Sequence, residues 1–271
     1  MDKRMPRGVS LCCLAVMLVA GTGELKLSGA ETSQPGLERS VYEEPSFIIG
    51  AIYGQGADGK QPLFEIQRRA SRIGARLDVQ REYTDPDGQA VARERVVYDG
   101  NDLVRYELQE LQIGAEGIAR IRRDPGNPAK GSIEFEYGER GGRPKRKTEG
   151  LSRNTLVNDM VGPFLTLHWD ALVRGEKVGC RYLVVPRCET IGFTFVKVSE
   201  SVSQNRDVII VKMAPSSLFV SAWVEPLFFT MEVAPPHRVL QYIGRTTPMI
   251  RARGKWEVLD AVTVFDWSTA R

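Results

Sequence analysis

Past its first thirty residues, the chain carries two histidines and two cysteines as its best candidates for chemistry. His168 lies beside Trp169-Asp170. Because triads assemble across a fold, a Ser-His-Asp set around His168 defines the enzyme hypothesis, a hydrolase. No Gly-x-Ser-x-Gly elbow accompanies it. Neighbouring residues on a helix point apart, so a helix-surface or hydrogen-bonded core histidine is expected and catalysis is not. His237 follows Pro235-Pro236 in a loop and carries less signal. No His/Cys/Asp cluster has zinc spacing, and no glycine-rich loop joins a strand to a helix. No metal and no cofactor is expected. Cys180 and Cys188 are a candidate disulfide pair. On one straight strand they would lie roughly 26 Å apart, so the bond requires a turn near Val185-Pro186; otherwise both are buried thiols.

The element that must position these residues runs from Ser152 to Val198. Leu156, Met160, Phe164, Leu167 and Ala171 fall on one helical stripe, widened by Leu165, Trp169 and Leu172. Pro163 predicts a kink, or two short helices with Pro163 opening the second. Gly175 is placed to stop the helix, and strands follow over 177–185 and 189–198. A helix alone among strands buries its stripe against a sheet.

Most of the rest reads as β-structure. Phe47–Tyr53 is an apolar run. The stretch 62–72 is ambiguous, with Leu63, Ile66 and Ala70 at helical spacing. Strands at 77–83, 91–98, 103–113, 118–121 and 133–137 are separated by turns such as Asp85-Pro86-Asp87-Gly88. This is the pattern of an antiparallel meander with its Arg- and Glu-rich face in water. Arg143-Pro144-Lys145-Arg146-Lys147 is expected to be a solvated loop. After the helix come strands at 207–213, 218–224, 227–233, 239–243 and 255–267. They are apolar on both faces, and so covered on both faces. The expected layout is a helix between two meanders.

The first residues suggest export. A basic start precedes an apolar run over 9–21, and Ser28-Gly29-Ala30 supplies small residues before a cut after Ala30. Residues 1–30 are read as a signal peptide, 31–46 as a flexible lead-in, and 47–271 as a single β-rich domain. The expected location is the periplasm of a Gram-negative bacterium. Cys12 and Cys13 lie too early in the apolar run for lipidation. The chain has 271 residues and a formal charge of +3. Lys3, Arg4, Arg7 and Lys26 belong to the leader, so the remainder is close to neutral and nucleic-acid binding is not expected. No second long apolar segment predicts a membrane helix.

Three stretches carry a family resemblance: residues 169–176 (WDALVRGE), 189–193 (ETIGF), and Gly254-Lys255-Trp256 with Phe265-Asp266-Trp267. With the strand–helix–strand layout they resemble exported bacterial proteins of the DUF3108 type, thought to share an open half-barrel with LolA/LolB lipoprotein carriers. The resemblance implies a mainly β fold with one or two short helices. It implies a curved antiparallel sheet with a helix packed in its concave face and an apolar or lipid-like ligand. Candidate lining residues are Trp169, Leu165, Phe193, Phe195, Trp223, Phe228 and Phe229, unless they are ordinary core. The competing reading is an envelope scaffold that binds a protein through a sheet edge or the basic loop. A transmembrane barrel is disfavoured by the charged early strands.

Overall fold

The computed structural model describes residues 45–56, 61–203, 205–217, 221 and 224–271. The proposed leader, the lead-in up to residue 44, and Trp223 lie outside the described residues. The described residues form one 15-stranded sheet. Its first meander comprises β1 (Phe47–Gly54), β2 (Phe64–Ile73), β3 (Arg76–Thr84), β4 (Ala90–Asp99), β5 (Asp102–Glu110), β6 (Ala115–Asp124), β7 (Asn127–Glu139) and β8 (Lys145–Gly150). A helical segment follows: β9 (Thr155–Leu156), a 3-10 turn (Asn158–Met160), α1 (Val161–Leu167) and α2 (Trp169–Val173). The second meander is β10 (Val178–Val184), β11 (Glu189–Ser203), β12 (Arg206–Pro215), β13 (Leu227–Glu232), β14 (Val239–Ala252) and β15 (Lys255–Asp266).

Each meander is paired strand to next strand, and the two are joined by an antiparallel pair between β1 and β15. The ambiguous stretch at 62–72 is strand β2, because β1 and β3 bond to it on both sides. The basic run is not wholly a loop: Lys145, Arg146 and Lys147 open β8, paired to β7 through Tyr137, Glu136 and Phe135. Charged residues on an edge strand discourage further pairing.

The sheet is open, with β8 and β9 at its two edges. These edge strands are consecutive in the chain. A link from Gly150 to Thr155 spans roughly 17 Å at most, so the sheet must curl until its edges approach. Side chains complete the approach. Glu149 Oε2 accepts hydrogen bonds from the Thr190 amide and hydroxyl at 2.9 and 3.0 Å, and Lys145 Nζ donates to the Arg187 carbonyl at 2.9 Å. Gly117 of β6 sits where a Cβ would lie 2.4 Å from Val185 Cγ1. Glycine is required there by close approach, not by an unusual dihedral.

The helical segment packs inside the curl. Leu156, Phe164, Leu165 and Leu172 are buried against Phe195, Val211 and Met231 of the second meander. Two short helices do form, but the break is at His168 (φ −101°, ψ 18°) and not at Pro163. Pro163 is the third residue of α1, where its missing N–H has no partner to lose. Leu167, the last residue of α1, is off the buried stripe and 40% exposed. Gly175 (φ 79°) ends α2: its N–H donates to the Leu172 carbonyl and that of Glu176 to Ala171. This is the paired C-terminal capping pattern that favours glycine.

On the outer face, cross-strand ion pairs such as Arg93–Glu82 (2.7 Å), Arg122–Glu134 (2.8 Å) and Arg140–Glu116 (3.2 Å) hold the charged residues of the first meander. Each adds little to stability at such exposure.

Candidate functional site

Inside the curl lies a cavity of about 570 Å³. Both meanders contribute apolar and polar side chains to its wall. The second meander and the helix supply apolar side chains, among them Ile191, Phe193, Met213, Leu227, Phe229 and Val239. The first meander supplies Arg68, Arg81, Tyr83, Tyr106, Glu110 and Tyr137. Strand alternation places them: Arg68 follows Phe64 and Ile66 on the buried face of β2, and Tyr106, Leu108 and Glu110 share a face of β5.

Of the seven aromatic and aliphatic candidates, Phe193 and Phe229 are on the cavity wall. Phe195 and Leu165 are fully buried where α1 packs on the second meander instead, with Phe164 and Phe195 ring centroids 5.7 Å apart. Phe228 alternates to the other face of β13 from buried Phe229 and Met231. Trp169 stacks on His237 at 3.7 Å with planes 9° apart, closing α2 onto the β13–β14 connection. Trp223 lies outside the described residues.

Sequence reasoning missed a buried polar cluster beside the cavity. Asp159, next to α1, accepts from Arg68 Nε at 2.7 Å, Arg81 Nη2 at 3.1 Å and Tyr98 Oη at 2.9 Å. Burial alone would raise its pKa, but the two guanidiniums outweigh that and hold the carboxyl below its ordinary range. Glu94 of β4 is 2% exposed. Its Oε1 accepts from Tyr83 at 3.0 Å, Asn158 at 3.0 Å and Thr247 at 2.5 Å, while its Oε2 has no hydrogen-bond partner. Tyr182 donates to the other end of the Asn158 amide. Glu110 accepts from Tyr137 at 2.6 Å, and burial, with a further contribution from the charge on Glu94, raises its pKa. Burial pushes the hydroxyls of Tyr83, Tyr106 and Tyr182 up, so they are neutral donors. The signal for this cluster was present in the alternation: Glu94 falls between Ala92 and Val96, at an inward position.

The bulge in β14 between Arg245 and Met249 meets the first meander. Thr247 is bound to Glu94 as above, and Gln112, past the end of β5, is bonded to Met249. The first and second meanders are thus tied through the interior as well as at β1–β15.

The proposed disulfide does not form. The β10–β11 register sets Phe193, not Cys188, opposite Cys180, and leaves Cys188 in the turn after Val184. Both thiols are free and buried, in different core clusters. His168 packs its ring edge-on to Phe164 at 4.5 Å, and burial lowers its pKa. Among the described residues, no group of three His, Cys, Asp or Glu side chains is placed to hold a metal ion. Among them, no helix is long and apolar enough to cross a membrane.

No protein-family model matches the chain, so the DUF3108 resemblance has no counterpart there, and no curated protein matches it. Among solved structures, a β-barrel-like protein of a domain of unknown function, DUF1849, from Brucella abortus is similar. It shares 6% identity at a TM-score of 0.37, over 81% of this chain and 92% of that one.

Proposed function

We propose that this protein is a non-catalytic binder of one small apolar or amphipathic molecule, held in the lumen of its curled sheet, and that it works after export to the periplasm. The observation that carries the reading is the cavity itself. At about 570 Å³ it falls within the roughly 300–1,000 Å³ range of small-molecule sites. Its lining is largely apolar with hydrogen-bonding groups among it, the mix an amphiphile needs. The size suits a single-chain molecule. The export part is supported by the basic start, the apolar run at 9–21 and Ser28-Gly29-Ala30.

The test is native mass spectrometry of the protein purified from the cells that make it, followed by solvent extraction. A releasable small-molecule adduct, lost on Phe193→Asp in a protein that still folds, is the expected result. A bare mass, together with failure to take up any fluorescent single-chain probe, would sink the reading.

A further inference from the structure

The charged side chains on the cavity wall are accounted for by ion pairs, with one exception. Arg68 and Arg81 meet Asp159, Arg187 meets Glu189, and Arg245 meets Asp260. Glu110 meets no cation among the described residues; its side chain accepts a hydrogen bond from neutral Tyr137.

The register places a second carboxylate beside it. Glu110 lies opposite Ala92, and Glu94 lies opposite Leu108. The two glutamates are therefore diagonal neighbours on one inward face, roughly 7–8 Å apart at the backbone. Glu94 is almost fully buried, and its Oε2 lacks any donor. The three donors to its other oxygen, Tyr83, Asn158 and Thr247, all stand on the cavity wall, so the carboxylate lies immediately behind that wall. Arg81 faces Glu94 across the β3–β4 pair and also bonds Asp159. Two guanidiniums thus balance Asp159 and Glu94, and Glu110 is the surplus negative charge. Tyr83, Tyr106 and Tyr137 surround this corner. An orphaned acceptor, a surplus carboxylate and several phenol rings together favour a cation that donates hydrogen bonds.

We propose that the molecule held in the lumen is a single-chain amphiphile with a positively charged amine head. The ammonium sits against Glu110 among the tyrosines, in the field of Glu94 behind the wall, and the chain lies along Phe193, Met213 and Phe229. This rests on the reading of the lumen as a binding site. An alcohol head would leave the surplus charge unanswered. A carboxylate head would face two carboxylates.

The experiment compares dodecylamine, dodecanol and dodecanoate as competitors for a fluorescent single-chain probe on the wild-type protein and on Glu110→Gln. The amine is expected to bind at least about tenfold tighter than the alcohol, and the carboxylate weakest. In Glu110→Gln, checked for fold by circular dichroism, the preference for the amine should fall to near parity with the alcohol. Equal binding of all three, or tightest binding of the carboxylate, overturns the amine head while leaving the lumen as a binding site. Failure of all three to bind folded protein overturns both readings. The wild-type ranking decides the matter even where the variant does not fold.

Discussion

Gln112 holds the backbone of Met249 by both ends of its side-chain amide. Its Nε2 donates to the Met249 carbonyl at 2.8 Å, and its Oε1 accepts from the Met249 amide at 2.7 Å. The two residues are 137 apart in sequence, one just past β5 and the other in β14. An amide side chain here does what a neighbouring strand does elsewhere: it satisfies both backbone groups of Met249, where β14 rejoins β15 after the bulge and β13 no longer pairs with it.

Replacing this side chain should therefore free the bulge. Gln112→Leu is expected to cost about 1–3 kcal/mol, the range for leaving buried backbone groups unpaired. Urea unfolding measures the loss, and hydrogen exchange at the Met249 amide should quicken at the same time. Unchanged exchange at Met249 would show that the bulge is held by Thr247 and its neighbours alone.

Asp159 makes the stability of the protein depend on pH with a definite sign. Its folded-state pKa lies below the ordinary value of 3.8. The ion cluster therefore contributes fully above that ordinary value, and the contribution is lost as pH falls toward the lower, folded-state value. Asp159→Asn should remove it at every pH, leaving Arg68 and Arg81 without their shared carboxylate, at a cost of about 3–5 kcal/mol near neutrality. Acid titration of stability in the two proteins should converge at the lowest pH. Parallel curves would mean that Asp159 is not the group that titrates.

The thiols offer a third check. Burial raises Cys180 to about 12 and also lifts Cys188 above its ordinary value. Both should resist alkylation in the native protein and react only on unfolding, since the thiolate is the reactive form. The intact mass should be the same with and without reductant. A two-hydrogen difference assignable to Cys180 and Cys188 would contradict the β10–β11 register.

The sequence shows the meander clearly and the lumen poorly, for physical reasons that particular residues make plain. Gly88 and Gly175 mark a turn and a helix end because their positive φ (78° and 79°) is a local demand that glycine meets best. Leu63, Ile66 and Ala70 could not choose between helix and strand, since the choice belongs to the neighbours β1 and β3. Phe228 and Phe229 are equally apolar, and only the pairing of β13 decides which one turns inward. The polar cluster was hidden because Asp159 meets Arg68 across 91 residues and Arg81 across 78. Charge read along the chain suggests water, whereas charge at the inward step of an alternating strand suggests a partner. Arg68 and Glu94 both occupy such steps.

The pairing of β1 with β15 has a consequence for how the protein is made. Ile49 meets Asp266 and Ala51 meets Val264, while the amide of Ser46 donates to the carbonyl of Arg271 at 2.6 Å. The strand that joins the two meanders is thus made after every other described strand of the sheet. Until it appears, β1 lacks one of its two neighbours and the curl lacks its central seam. Contacts this remote in sequence form slowly, because the whole intervening chain must be gathered first. Closure of the curl is consequently a late, non-local step that neither meander can complete alone.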